Sequence, residues 1–215
     1  MRQASNLAFM SACLLIYEDL DVSFNNWSEI STFDLETTPL DACTIGLIDK
    51  KIDESISGLA ILLNHSSNTA LALIGIFLNL DAAALLGNSK AGFDESWIKD
   101  CEEIRVAIAN NRNLKSEKEK LLESLSIPNA NKLLSIIQQA TSRKTPVFLL
   151  GDLAIALGFL VSRTNSQAKN YLHVASSIQR PGIIKAAESM QLAVTNLPSE
   201  VSPAKGLAIA LLSHV

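Results

Sequence analysis

TPVFLLGDLAIALGFLVSRTNSQAKNYLHVASSIQRPGIIKAAESMQLAV, residues 145–194, alternates short apolar runs with helical ones. Pro146–Leu150 is too short and too apolar for a helix and reads as a buried strand. Gly151-Asp152 is a turn, with Asp152 expected as a helix N-cap and a direct ligand role as the alternative. Leu153–Val161 is apolar nearly all round, so that helix is predicted to be buried. Tyr171–Ala175 reads as the next strand, followed by the polar loop Ser176–Arg180. Pro181-Gly182 opens a helix, because proline suits a first helical turn, whose N–H groups lack intrahelical partners. Leu192–Val194 is a last apolar run before the loop Asn196–Ser202 and a closing helix. Strands that are continuously apolar, each followed by a helix, predict a parallel sheet covered on both faces. The expected fold is therefore α/β, a three-layer Rossmann-like sheet. In such sheets, sites form where the strands' C-terminal ends meet their loops. Those loops are Gly151-Asp152, Ser176–Gly182 and Asn196–Ser202.

Upstream the same unit recurs. Gly58–Leu63 (GLAILL) is a strand, residues 64–69 (NHSSNT) a polar loop, and ALALIGIFLNL a helix. The loop's hydroxyls and amides stand where a helix N-terminus would bind an anion. Before it, Thr37/Thr38 with Pro39 and Asp41 start a helix to about Ile56, with Ile45, Ile48, Ile52 and Ile56 at helical spacing. Residues 4–17 read as a buried helix, 21–24 as a short strand and 25–39 as a surface loop. Residues 86–94 (LGNSKAGFD) form a turn holding one cation, Lys90, and Asp94 or Ser96 caps the next helix. Trp97, Cys101, Ile104 and Ile108 make that helix's apolar stripe. Residues 110–120 are polar, and Lys115, Lys118 and Lys120 read as a solvated face. Helices over 116–125 and 129–142 follow, split by Pro128. The expected organisation is a single α/β domain over 1–215, with 1–57 a partly helical N-terminal portion.

The chain has 215 residues, net charge −4 and no basic block, which argues against nucleic acid or an anionic membrane surface as partner. Hydrophobic residues make up 48% and the mean hydropathy is +0.23, as buried helices of an α/β fold would require. Three cysteines, Cys13, Cys43 and Cys101, lie far apart, so no disulfide framework is expected and a cytoplasmic location fits best. Residues 7–16 are apolar behind Arg2, but YEDLD follows in place of a small-residue cleavage site, which argues against a signal peptide. Residues 70–86 carry Asn79 and Asp81 and fall short of the ~20 apolar residues that span a bilayer.

GxGxxG, Walker, HExxH and GxSxG motifs are absent. His65, His173 and His214 lack metal-ligand spacing, and His173, mid-strand, reads as structural. Glu200 lies in LPSEVSP, after the last strand and before a helix start. A carboxylate overhanging apolar side chains there would have a raised pKa, as a general base requires; the alternative is a solvated loop glutamate.

The order of these pieces resembles the nicotinate-nucleotide:dimethylbenzimidazole phosphoribosyltransferases, which make the lower-ligand nucleotide of cobalamin. Where that family has a GEMGIGNTT-like loop and an alanine-rich helix, LLNHSSNTALALIGIFL stands here, keeping Asn68-Thr69. Its TGLDDE-like turn matches Ala91–Glu95, and its PVLLDGF matches PVFLLGD. Its DYL…SH.SAEPGH stretch matches NYLHVASSIQRPGI, keeping Tyr171-Leu172, Ser176 and Pro181-Gly182. Its LGEGTGAALALPLL matches LPSEVSPAKGLAIALL, which sets Glu200 on the family's glutamate. The likeness covers about residues 58–215. The family's other glutamate is Leu63 here, its loop glycines are His65 and Ser67, its helix lysine is Cys101 and the histidine of AEPGH is Ile183. The segment that helps enclose the benzimidazole is expected to be missing.

The resemblance implies transfer of phosphoribose from nicotinate mononucleotide to a benzimidazole-type base, a glycosyltransferase reaction. Glu200 would act as base. Ser66, Ser67, Asn68, Thr69, Gly92, Ser176, Ser177 and Gly182 would hold phosphate and ribose, with Lys90 as cation. No metal or redox cofactor is implied, and the family pairs as homodimers. Two other readings stay open: a non-catalytic relative that binds a nucleotide or protein partner, and a plain α/β interaction subunit.

Overall fold

The computed structural model describes residues 13–18, 30–35, 37–54, 56, 58–63, 67–87, 94–176 and 180–196. Among the described residues, six strands form one sheet: β1 (Cys13–Glu18), β2 (Ile30–Asp34), β3 (Gly58–Leu63), β4 (Val147–Leu150), β5 (Leu172–Ser176) and β6 (Val194–Asn196). Their order is β2-β1-β3-β4-β5-β6 and every pair is parallel. Helix α1 (Ala42–Asp53) joins β2 to β3. Five helices join β3 to β4: α2 (Ser67–Leu78), α3 (Ala82–Leu86), α4 (Glu95–Asn111), α5 (Lys118–Ser124) and α6 (Ala130–Ser142). Helix α7 (Asp152–Thr164) joins β4 to β5, and α8 (Pro181–Ser189) joins β5 to β6.

The central strands are buried at every position, which is why they read as unbroken apolar runs. Their two faces serve different neighbours. Leu59, Ile61, Leu63, Val147, Leu149, Leu172 and Val174 join the helical core. Leu149 presses on Gly158 of α7, where an added Cβ would stand 2.1 Å from Leu149 Cδ1. Helix α7 is buried from Asp152 to Val161, as predicted, since it lies among the sheet, α2, α6 and α8. On the opposite face, Phe148 stacks on its register partner His173 at 4.8 Å, a structural role for that histidine.

Three aspartates cap helices: Asp41 and Asp94 lie at helix starts expected from the sequence, and Asp81 is one the sequence reading did not single out. Asp41 accepts from Thr44 N at 2.8 Å, Asp81 from Ala84 N at 2.8 Å and Asp94 from Trp97 N at 2.7 Å. Two of these exposed caps, Asp41 and Asp94, are held below the usual carboxylate range by those backbone N–H groups.

The N-terminal third differs from expectation. Residues 13–17, expected within a helix, belong to strand β1 (Cys13–Glu18), because this apolar run pairs on both sides, with β2 and with β3. Residues 30–34 (ISTFD), expected in a loop, are the edge strand β2, where one-sided pairing tolerates polar residues. The expected strand at 21–24 lies outside the described residues, as do 4–12. The last strand runs over Val194–Asn196, so Asn196 ends a strand and does not begin a loop. Lys115 and Lys118 are more than a solvated face. Lys115 Nζ donates to Phe77 O at 3.2 Å, tying down the C-terminal end of α2, and Lys118 donates to Thr164 on α7. No helix among the described residues is long and apolar enough to cross a membrane.

Candidate functional site

The chain leaves β1 outward to β2, but leaves β3 in the other direction toward β4. This reversal between β1 and β3 is the topological switch point, where a doubly wound sheet opens a crevice at its C-terminal edge. Leu63 and Glu18 are the register partners that end the two strands there. Helix α2 begins four residues later, at Ser67.

Three helix starts meet at this edge. Gly151 turns the chain from β4 into α7 with φ 87°, a left-handed value that glycine adopts without strain. Asp152 therefore falls in the first turn of α7, where the macrodipole favours a carboxylate. It makes no cap hydrogen bond of the expected kind, because Gly151 holds the N-cap position. Its carboxylate, 7% exposed, instead pairs with Arg180, the N-cap residue of α8, and accepts from the hydroxyl of Ser67, the first residue of α2. Burial raises the Asp152 pKa; the Arg180 charge and the hydrogen bonds from Ser67 and Arg180 pull it partly back.

The other loop residues separate. Asn68 turns its amide nitrogen to α4, donating to Asp100 at 2.8 Å and Glu103 at 2.9 Å. Thr69 lines a shallow groove of about 470 Å³ shared with Glu102 and Glu103. Two carboxylates make that groove unsuited to phosphate. Among the described residues of the expected hydroxyl and amide set, Ser67 is the one shown to bond Asp152. Ser176 is buried at the end of β5. Gly182 is buried in the first turn of α8, where a Cβ would meet Leu71 Cδ2 at 2.7 Å and Leu85 O at 3.1 Å. It is thus the contact that lets α8 seat on α2 and α3. Ser66, Lys90, Gly92, Ser177 and Glu200 lie outside the described residues, as do His65 and His214. Among the described residues, no group of three or more His, Cys, Asp or Glu is arranged to hold a metal ion.

Sequence reasoning passed over Arg180. Among the described residues it is the only Lys or Arg between a strand's C-terminal end and the helix that follows it. That count, made along the predicted strand–loop–helix units, would have found it.

A parallel sheet with three helix N-termini gathered beside its switch point defines a doubly wound α/β protein, a fold in which ligand sites form at the strands' C-terminal edge. The family model described as phosphoribosyltransferase matches residues 64–197, the stretch from the loop before α2 to just past β6. The chain belongs to this family of phosphoribosyltransferases, the nicotinate-nucleotide:dimethylbenzimidazole group. The nicotinate-nucleotide–dimethylbenzimidazole phosphoribosyltransferase of Corynebacterium glutamicum is 25% identical over 147 residues, 68% of this chain and 41% of the relative. That of Corynebacterium efficiens is 26% identical over 180 residues, 80% of this chain and 48% of the relative. The chain thus spans less than half the length of the curated relatives it matches. The crystal structure of CobT from Thermus thermophilus has the same fold, with a TM-score of 0.64 at 13% identity, over 94% of this chain and 80% of that one.

Proposed function

We propose that the chain moves phosphoribose from nicotinate mononucleotide to a benzimidazole-type base, as the first step toward a cobalamin lower ligand. The observation that carries this reading is the family match over residues 64–197, which spans all three helix starts at the switch-point edge. Glu200 takes a proton from one ring nitrogen of the base. The other ring nitrogen attacks the anomeric carbon of the ribose, and the C–N bond to nicotinate breaks. The pyridinium is already cationic, so the electron pair returns to a ring that leaves neutral at nitrogen without acid help. The remaining work is to hold nucleophile and sugar in line, which can supply about 7–11 kcal/mol. Ser66 and the backbone N–H groups of α2 and of Gly182 hold the phosphate, Ser177 holds the ribose, and Gly92 and Lys90 close the pocket; Ser67 sets the start of α2 through its hydrogen bond to Asp152. Residues 1–215 form one α/β domain that works as a cytoplasmic homodimer, and no resident cofactor takes part.

One observation favours a second reading, a relative that binds the nucleotide without turning it over. Leu63, buried at the end of β3, stands where the family motif carries a glutamate. The test is to incubate the protein with nicotinate mononucleotide and dimethylbenzimidazole and to measure free nicotinate. Release that is lost in Glu200→Gln is expected. No release, with a melting temperature raised by the mononucleotide, would replace the transferase by the binding-only relative.

A further inference from the structure

We infer that Arg180 is the phosphate-binding cation of this chain and that Asp152 is its positioning residue. The inference rests on the phosphoribosyl-transfer reading and names the group that recognises the 5′-phosphate in it. Four observations lead there. Arg180 sits at the N-cap of α8, and its side chain remains 24% exposed while its carboxylate partner is 7% exposed. The arginine is therefore the member of the pair that reaches solvent. The guanidinium reaches Asp152 through Nη1 alone in the described contacts. With five N–H donors in a planar fork, it can serve a carboxylate and a phosphate at once. The starts of α2 and α8 carry no acidic residue of their own in their first turns, and Ser67 and Arg180, which stand at those two starts, both reach Asp152. Asp152 is the one first-turn acid of the three, and Arg180 and Ser67 neutralise it.

The geometry also explains why a carboxylate is buried beside an anion site. Arginine has a long, flexible side chain, and an unanchored guanidinium would lose rotamer freedom on binding. Asp152, fixed in the first turn of a fully packed helix, holds one edge of the fork beforehand. The same carboxylate takes the Ser67 hydroxyl, which locks α2 and α8 at a set separation. The phosphate would then bridge Arg180 and the backbone N–H groups of the two helix starts.

The experiment compares two ligands that differ only in the phosphate: nicotinate mononucleotide and nicotinate riboside. Their dissociation constants are measured by titration calorimetry on wild type, Arg180→Gln and the double variant Asp152→Asn/Arg180→Gln. The double variant leaves no buried unpaired charge, so it serves if the single variant does not fold. The expected result is a wild-type preference for the mononucleotide that falls about ten- to one-hundred-fold in either variant, the range of one charge-assisted hydrogen bond, with riboside affinity unchanged. A purely structural role for the pair would weaken both ligands alike. A mononucleotide preference that survives in a folded variant overturns the proposal alone, as does a wild type that binds both ligands equally. A wild type that binds neither ligand overturns the functional reading and the proposal with it.

Discussion

Two glycine-to-alanine substitutions should move stability in opposite directions, and the structure says why. Gly46 lies inside α1, is exposed, and an added Cβ would meet nothing within 4 Å. Alanine there gains helix propensity and shrinks the unfolded ensemble, worth about 0.5–1 kcal/mol. Gly182 lies in the first turn of α8, where an added Cβ would stand 2.7 Å from Leu71 Cδ2, 2.9 Å from Leu85 Cδ2 and 3.1 Å from Leu85 O. The two leucines are fully buried and the carbonyl is backbone, so the neighbours cannot simply step aside. Overpacking of this kind costs about 1–3 kcal/mol, and the propensity gain offsets at most about 1 kcal/mol of it. The expected net loss is about 1–2 kcal/mol. For a chain of this size that is a fall of roughly 2–8 °C in Tm, against a rise of roughly 1–4 °C for Gly46→Ala. Urea unfolding followed by circular dichroism and scanning calorimetry would measure both. The same shift in both variants would refute the reasoning, since it would mean that the α8 start is not seated on α2 and α3.

Asp152→Asn should alter the pH dependence of stability. The folded pKa of Asp152 is raised by burial, so the favourable contribution of its neutral form is complete below the ordinary carboxylate value near 4 and is lost as pH rises through the folded pKa. Wild type should therefore lose stability relative to Asp152→Asn across that interval, read from thermal melts at a series of pH values; a pH-independent difference would contradict the buried carboxylate. Trp97→Phe should destabilise by about 0.5–1.5 kcal/mol, because the indole Nε1 donates to Gly87 O at 2.9 Å, and the loosened turn should lower ligand affinity in the same titrations; unchanged urea unfolding would count against that bond.

Much of this fold is legible in the sequence because its elements announce themselves through length and burial. GLAILL, VFLL and the apolar α7 could be nothing else in a chain that repeats strand, loop and helix. The errors fall where the pattern is weak. CLLIYE is as apolar as a buried helix, and only its pairing between β2 and β3 makes it a strand. ISTFD is an edge strand, with no apolar run to betray it. At the site, the stretch 64–69 suggests a single cradle, but side-chain direction on a helix changes by about 100° per residue. Ser67, Asn68 and Thr69 consequently face different neighbours. The place of Asp152 after a turn marks the helix start correctly and the partner wrongly. Its true partner is 28 residues away, and spacing along one chain carries no signal for that contact.

The meeting of Ser67, Asp152 and Arg180 also bears on how the molecule comes together. Each belongs to a different strand–helix unit, and the last of them follows β5. Until the segment after β5 is added, the acid at the start of α7 lacks the Arg180 cation that answers it in the folded chain. Closing those long segments costs entropy that only the finished sheet edge returns. Capture of an anionic ligand during refolding should accordingly lag behind the recovery of helical signal, which makes the ligand a clock for the final docking of α8.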